Sequence, residues 1–497
     1  MGSEKIIIVG TGLAGLTTAL RLLQHGISVI MLEKGDCLGG NSIKASSGIN
    51  GSVTKQQIAN GIHGDSVGAF LSDSIRSGKG LSNVELLKIL VNNSRLAIDW
   101  LTGPNLNIDL LKVNQLGGHS FPRTHCGSGK LPPGYDIVSS IINSLKTFTK
   151  GSCGTSLSIL KNSSLVRILA TENKTKVVGI EYENLNNKEK IYGDYVVLAT
   201  GGFSADFASN DSLIRKFRPD LLDLPLTNSL LTTGDGQKIA ERDVDAQLIQ
   251  MDQVQVHPTG FIKAFDSHTK DEVNYKWKFL CGEIVRGIGA ILVSPSGNRF
   301  VNELTTRDKV STAIFQSCKI LSNNTLSIAG DSAVAIIMLN ESDYLKAPHH
   351  IDFYVSKGLM SKLKIADVYN LLLDLSGVNK ELIKNSLDQT LNSYNDNIER
   401  QHDSFGRKSF GKVCPSPENS HFYVGLITPV LHFSMGGIKI NEEGKVINND
   451  NNVVDGLYAV GEISGGIHGG NRLGGNSLLE CVVFGTNVAE SIKKNFN

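Results

Sequence analysis

Five short stretches of this 497-residue chain gather side chains suited to acid-base work. Gln253-Val-Gln255-Val-His257-Pro-Thr259 alternates polar and apolar residues, so on a strand Gln253, Gln255 and His257 share one face, and Pro258 ends the run. Glu283 and Arg286 have the i, i+3 spacing that brings an acid and a base within reach on a helical turn. Glu303 and Arg307 repeat the pairing at i, i+4 around Thr305-Thr306. His432 stands before Met435-Gly436-Gly437, and His468-Gly-Gly-Asn-Arg472-Leu-Gly-Gly475-Asn476-Ser477 sets donors among glycines and leads into the apolar run Leu478 to Phe484. Taken singly, each has an ordinary account. Exposed acid-base pairs contribute under about 1 kcal/mol, and a lone histidine usually serves structure.

What must position them begins at the other end of the chain. Ile6 to Val9 form a short buried strand, the glycines at 10, 12 and 15 make the turn into a helix with an apolar face through Leu16, Leu20 and Leu23, and Ile27 to Leu32 form a second strand. Gly10 permits the tight turn, Gly12 lets backbone N–H groups reach a pyrophosphate, and Gly15 lets the helix pack closely. Glu33, at the end of the second strand, can accept hydrogen bonds from a ribose 2′-OH and would repel a 2′-phosphate. NAD or FAD is therefore expected rather than NADP.

The length is roughly three times a typical domain, so two domains sharing an interface are expected. With Lys plus Arg at 49 against Asp plus Glu at 48, the net charge is +1, and neither nucleic acid nor a membrane surface has an electrostatic claim on the chain. The 52 glycines suit tight turns around a cofactor. Seven scattered cysteines without a CxxC pair point to a reducing compartment and give no iron–sulfur, haem or other metal site. The first strand starts at residue 5 and no apolar run of about 18 residues is present, so a soluble cytoplasmic protein is expected, or a mitochondrial or ER-lumenal one if a targeting segment is removed.

Along the chain, Gly39 to Gly51 is a run of small hydroxyl and amide residues that can wrap a flat ring. Residues 66 to 101 read as packing helices. The loop Gln115 to His125 offers His125 and Arg123 as candidates for the cofactor or the domain interface. Ser164 to Lys190 reads as a meander, Tyr195 to Ala199 as a strand ending in Thr200-Gly201-Gly202, and Thr232 to Gln237 as a helix start with Asp235 capping it or holding a polar cofactor group. Residues from about 250 to 434 break this rhythm and Leu457 to Glu462 restores it. The middle therefore reads as an insertion, in which 345 to 420 shows amphipathic helices and a charged loop but no trusted chemistry.

The strings GTGLAG, GGNSIKASSGING, QLGGHS, RTH, LPPG, TTGDGQ, QVHPTGF, WKFL, VNELTTRD, HFSMGG and HGGNRLGGNSLLECVVFG run in order from residue 10 to 485. On these the chain resembles the soluble fungal-type fumarate reductases, within the FAD-dependent oxidoreductase 2 family and the fumarate reductase/succinate dehydrogenase flavoprotein superfamily. The resemblance implies an α/β fold, with a Rossmann-like FAD-binding domain at 1–249 and 435–497 and an inserted α+β capping domain at 250–434. It implies FAD contacts from Gly10, Gly12, Leu13 and Ala14 at the first turn and from Glu33 and Lys34. The small-residue run would add Gly40, Asn41, Ser42, Ala45, Ser46, Ser47, Gly48 and Asn50. Val166, Ala199, Thr200, Gly201, Gly234 and Asp235 would follow, then Glu462, His468, Asn476, Ser477 and Leu478.

For the substrate, fumarate, it implies carboxylate binding by His257, His432, Arg472 and Gly475, with succinate as product. Arg307 would donate the proton, fed through Glu283 and Arg286, to the alkene carbon opposite the one that takes hydride from flavin N5. Membrane-bound relatives attach FAD to a histidine where this chain aligns Asn41, so non-covalent FAD is expected. Bacterial soluble relatives carry Met-x-Thr-Glu where this chain has Leu280-Cys281-Gly282-Glu283, so a threonine contact to substrate is missing. Free reduced flavin or an unidentified reductase is the expected electron donor, a monomer the expected state, and reoxidation of reduced flavin the expected role. A flavin ene-reductase or oxidase acting on urocanate or aspartate is the alternative, and a flavoprotein that only carries electrons lies in another class.

Overall fold

The structure is a computed structural model that describes residues 5–129, 131–148, 155–208, 210–263, 276–320 and 333–496; Met1 to Ser3 and Cys153 fall outside these. Ile6–Val9 is buried along its whole length, as a central strand of a parallel sheet must be. It pairs in parallel with Val29–Leu32 on one side and Tyr195–Leu198 on the other. Leu157–Leu160 extends the sheet beyond Val29–Leu32, and Val453–Ala459 joins Tyr195–Leu198, with Lys445–Ile447 antiparallel at the edge. The sheet is thus mixed, and next to one edge it takes in a strand that returns from the far side of the middle segment. The meander is present as Ser163–Ala170, Val177–Asn184 and Asn187–Tyr192.

Two glycines set how tightly the first turn packs. Gly10 has φ +106°, and a Cβ on it would lie 2.3 Å from the Ala199 carbonyl oxygen. A Cβ on Gly15 would lie 2.1 Å from the Gly10 carbonyl oxygen. The helix Leu13–Gln24 can sit this closely on the sheet only because these positions lack side chains, and it packs beside the C-terminal helix Asn476–Asn495.

The middle segment builds a second sheet, antiparallel, in the order Val254–Ile262, His421–Ser434, Ala335–Asn340, Ile291–Val293, with Ser361–Lys364 also paired to His421–Ser434. Separate apolar clusters form around Ile314, Ile337 and Ile427 and around Ile336, Leu372 and Leu387. The strand does not end at Pro258. It continues to Ile262, with irregularities between Gln255 and Val256 and between His257 and Gly260 that accommodate a residue without an N–H to donate. The helix Arg307–Ser317 packs along this strand through Val310 and Ile314, and the Ser311 hydroxyl donates to the Val256 carbonyl at 2.9 Å. Arg307, in its first turn, is thereby held against the strand that carries Gln255 and His257.

Glu303 and Arg307 are not partners. Glu303 is fully buried and accepts from Arg299 Nε at 2.8 Å and Arg407 Nη1 at 2.9 Å, while Arg299 also pairs with Asp403 at 2.8 Å. Arg407 reaches on to the carbonyls of Ala290 and Arg286, both at 2.9 Å, and the Glu303 carbonyl accepts from Arg286 Nη1 at 2.5 Å. Burial pushes the Glu303 carboxyl up, but the Arg407 and Arg299 charges outweigh it and hold it below the usual range. A network on two guanidinium clamps therefore fixes the turn that carries Glu283 and Arg286.

Removing one member of this network leaves buried charge without a partner. E303Q should cost about 3 kcal/mol or more in urea unfolding, whereas a loss below about 1 kcal/mol would mean the cluster is not structurally coupled. G15A, which forces a methyl into the Gly10 carbonyl, should cost about 2–3 kcal/mol and reduce flavin occupancy of the purified protein.

Candidate functional site

A cavity of about 780 Å³ runs from the first βαβ turn to the edge of the antiparallel sheet. At one end stands the N-terminus of the helix Leu13–Gln24, whose N-cap is Gly12. Gly12 has no capping side chain and the first turn carries no acid, while the Leu13 N–H donates to Ser42 Oγ at 3.3 Å. A Cβ on Gly12 would meet nothing nearer than Ser42 Oγ at 3.9 Å. Glu33 accepts from the backbone N–H of Thr11 at 3.2 Å and of Gly35 at 2.8 Å. Lys34 donates to Asp235 at 2.7 Å and to Thr233 at 2.9 Å. The buried Thr200 hydroxyl, also lining the cavity, has no hydrogen-bond partner. Glycine cradle, acid-free helix end and orphan hydroxyl together fit a dinucleotide.

The other end is cationic. Arg307 donates from Nε to Glu283 Oε2 at 2.9 Å, with Nη2 at the same distance, and from Nη1 to Gln255 Oε1 at 3.0 Å. Arg472 Nη2 reaches the same Gln255 oxygen at 3.3 Å, while its guanidinium lies 4.3 Å from the Phe433 ring centroid. One carboxamide thus joins two guanidiniums from distant parts of the chain. Arg286 Nη2 sits 3.9 Å from Glu283 Oε2, and Glu283 also accepts from the Gly117 N–H at 2.6 Å.

The two imidazoles stand beside them, ring centroids 5.0 Å apart. His257 Nδ1 accepts from the Thr259 N–H at 3.2 Å, which places the ring proton on Nε2, a buried atom without a partner. His432 Nδ1 bonds the Thr227 hydroxyl at 2.8 Å. Burial, reinforced by Arg307 and Arg472, pushes both histidines well below their ordinary value, so both are neutral. Burial also brings Arg472 down to about 9, with Arg307 adding to the effect. It pushes the Glu283 carboxyl up, but Arg307 and Arg286 outweigh it and keep it ionised. Arg472 Nε and two nitrogens of Arg286 have no acceptor. The site is an assembly of donors around the Glu283 carboxylate.

Most residues expected at the cofactor do line the cavity: Gly10, Gly12, Leu13, Ala14, Glu33, Lys34, Gly40, Asn41, Ser42, Ala45, Ser46, Ser47, Gly48, Ala199, Thr200, Gly201, Gly234, Asp235, Glu462, Ser477 and Leu478. Arg307, His432, Arg472 and Gly475 line it as well, whereas His257, Glu283 and Arg286 are not among the lining residues. Asn50, Val166, His468 and Asn476 stand off the wall. Asn50 donates to Gly474 O at 2.7 Å and to Asn476 at 2.6 Å, His468 pairs with Glu480 at 2.9 Å, and near Val166 the wall is Ser163 and Leu165. Arg123 and His125 serve the framework: Arg123 clamps Asp65 and Asp73 at 2.6 Å each, and His125 bonds Thr54 at 2.7 Å. Asp235 is the first residue of its helix, with Gly234 as the cap. Gln253 precedes the strand and turns to Asp252 at 2.6 Å, so only Gln255 and His257 point inward. The sequence offered no sign of His350 and Tyr354, which come from the helix Pro348–Ser356 within the stretch that carried no recognisable motif. Among the described residues no cluster of potential ligands could hold a metal ion.

The family model described as the FAD binding domain matches residues 5–478. Fumarate reductase 1 of Saccharomyces cerevisiae is 42% identical over 505 aligned residues, covering 99% of both chains. The fumarate reductase of Schizosaccharomyces pombe is 38% identical, over 97% of this chain and 88% of the relative. Among solved structures, the open conformation of a flavocytochrome c3 fumarate reductase superposes with a TM-score of 0.73 at 30% identity, covering 99% of this chain and 78% of that one. A fold, a glycine cradle and a sequence match that agree from one end of the chain to the other lead to one conclusion: the chain belongs to the FAD-binding flavoprotein family that includes the yeast fumarate reductases.

Proposed function

We propose that this protein reduces fumarate to succinate, using FAD held non-covalently in the cavity. The observation that carries the reading is the donor set without an acceptor: His257 Nε2 and Arg472 Nε are buried and unpaired, beside Arg307, His432 and one shared Gln255 oxygen. A dianion with a carboxylate at each end would answer those donors, and guanidinium offers a rigid bidentate fork for one of them. Bound FAD supplies the two electrons as hydride. His257, His432, Arg472 and the Gly475 backbone hold and orient the substrate, and Arg307 gives a proton to the carbon that becomes basic. Arginine is a weak acid, so its reprotonation must be immediate. Glu283, in contact with Arg307, passes the proton on from Arg286.

The segment 250–434 serves as a cap over 1–249 and 435–497, excluding water from the basic intermediate. Asn41 favours non-covalent FAD, because its amide is engaged with Thr232 and the Ser229 N–H and is no nucleophile. Free reduced flavin or a separate reductase supplies the electrons to a monomer, and the reaction reoxidises reduced flavin for the cell.

Anaerobic titration of the dithionite-reduced protein with fumarate should restore the oxidised flavin spectrum, whereas urocanate and aspartate should not; reoxidation by either of those alone would overturn the assignment. R307A should keep its flavin and lose about a thousandfold or more in turnover. Arg472, brought down to about 9 by burial, is fully charged only below that value, and a bound dianion raises it, so binding takes up a proton there. Succinate affinity, read from flavin difference spectra, should therefore tighten as pH falls from about 10 to about 8. An affinity that weakens over that range would contradict the placing of Arg472 on a carboxylate.

A further inference from the structure

Gly282, the residue before Glu283, leaves a space that another element fills. A Cβ there would lie 2.8 Å from Ser46 Oγ and 3.2 Å from Tyr354 Oη, so this glycine is what allows the phenol to approach. Tyr354 is 3% exposed, and its ring packs 4.8 Å from Phe261 and 5.7 Å from Phe353, centroid to centroid. Phenylalanine would pack in this aromatic setting as well, and a buried hydroxyl is costly unless it bonds something. The hydroxyl oxygen accepts from the Gly282 N–H at 2.9 Å. That bond uses a lone pair, and the phenolic proton is left with the otherwise unpartnered Ser46 hydroxyl beside it as the competing acceptor that a ligand would replace. Burial pushes the phenol well above its ordinary value, with Cys281 adding to it, so the group stays a donor at neutral pH.

The direction of that donor matters. Tyr354 and Ser46 line the same cavity as Arg307, His432 and Arg472, yet Tyr354 makes no hydrogen bond to the Arg307–Gln255–Arg472 knot. It is tied to the acid that serves Arg307 through two consecutive residues, Gly282 and Glu283. A ligand charged at one end only would be satisfied by the guanidiniums. One charged at both ends draws on donors at both, and a neutral hydroxyl adds to the two imidazoles there without adding to the buried positive charge.

We propose that the Tyr354 hydroxyl donates to one carboxylate of the substrate and sets the preference for a ligand charged at both ends. The inference rests on the fumarate reading above. In the FAD-loaded protein, Y354F should raise the KM for fumarate and the Kd for succinate by about tenfold or more. Turnover number should change by less than about twofold, with flavin content and thermal midpoint retained. G282A keeps the phenol but drives a methyl against it, and should raise KM in the same way.

Unchanged KM and Kd in both variants would overturn the proposal. A fall in kcat with KM preserved, or a loss confined to stability and flavin content, would do the same, because either marks Tyr354 as a prop for the Glu283 turn. A wild-type protein whose reduced flavin is not reoxidised by fumarate sinks the functional reading itself, a failure visible before either variant is made.

Discussion

Burying three neighbouring guanidiniums is the constraint from which the rest of this structure follows. Arg286, Arg307 and Arg472 are all removed from water; Glu283 pairs with the first two, and Arg472, with no ion-pair partner among the described residues, feels Glu462 and Glu480 from farther off. Desolvating a cation costs several kcal/mol even after relaxation. The fall of Arg472 to about 9 is the same cost seen as a proton affinity. Gln255 lends its carbonyl oxygen to two of the three, which orders them without neutralising them. On the proposed function, the surplus positive charge is what a dianionic substrate would answer.

Holding such a site against its own repulsion takes a stiff surround. The helix bearing Arg307 is pinned to the strand bearing Gln255 and His257, and the turn bearing Glu283 is pinned by Arg407 and the Glu303 cluster. Arg472 comes from the opposite side, in the loop that runs into the C-terminal helix, which itself packs on the first helix of the βαβ unit. Both sheets therefore contribute cations to one place. Neither half could do so alone.

What the sequence revealed and what it hid divide along physical lines. The βαβ unit was legible because tight turns and a parallel core strand leave few choices of residue: Ile6 to Val9, Gly10, Gly15 and Glu33 announce themselves. Of the two acid-base spacings, Glu283 and Arg286 do face each other, but the other pairing does not form. Glu303 and Arg307 look like partners along a helix, yet the helix begins only at Arg307, and each residue finds its counter-charge elsewhere in the fold. Arg407 and Tyr354 were invisible because their partners lie more than seventy residues away in sequence. Pro258 misled because a strand interruption and a strand end look alike until the pairing register is known.

His257 and His432 lie on neighbouring, hydrogen-bonded strands, Val254–Ile262 and His421–Ser434. The separation of their rings, 5.0 Å, is therefore a property of one sheet and not of how the two halves of the molecule meet. Any hinge that admits a ligand by parting those halves leaves the imidazole pair intact and changes only its distance to Arg472. On the proposed function, recognition would be split in time: a preformed jaw would meet the ligand first, and the guanidinium from the other side would register whether the jaw had closed on something of the right length.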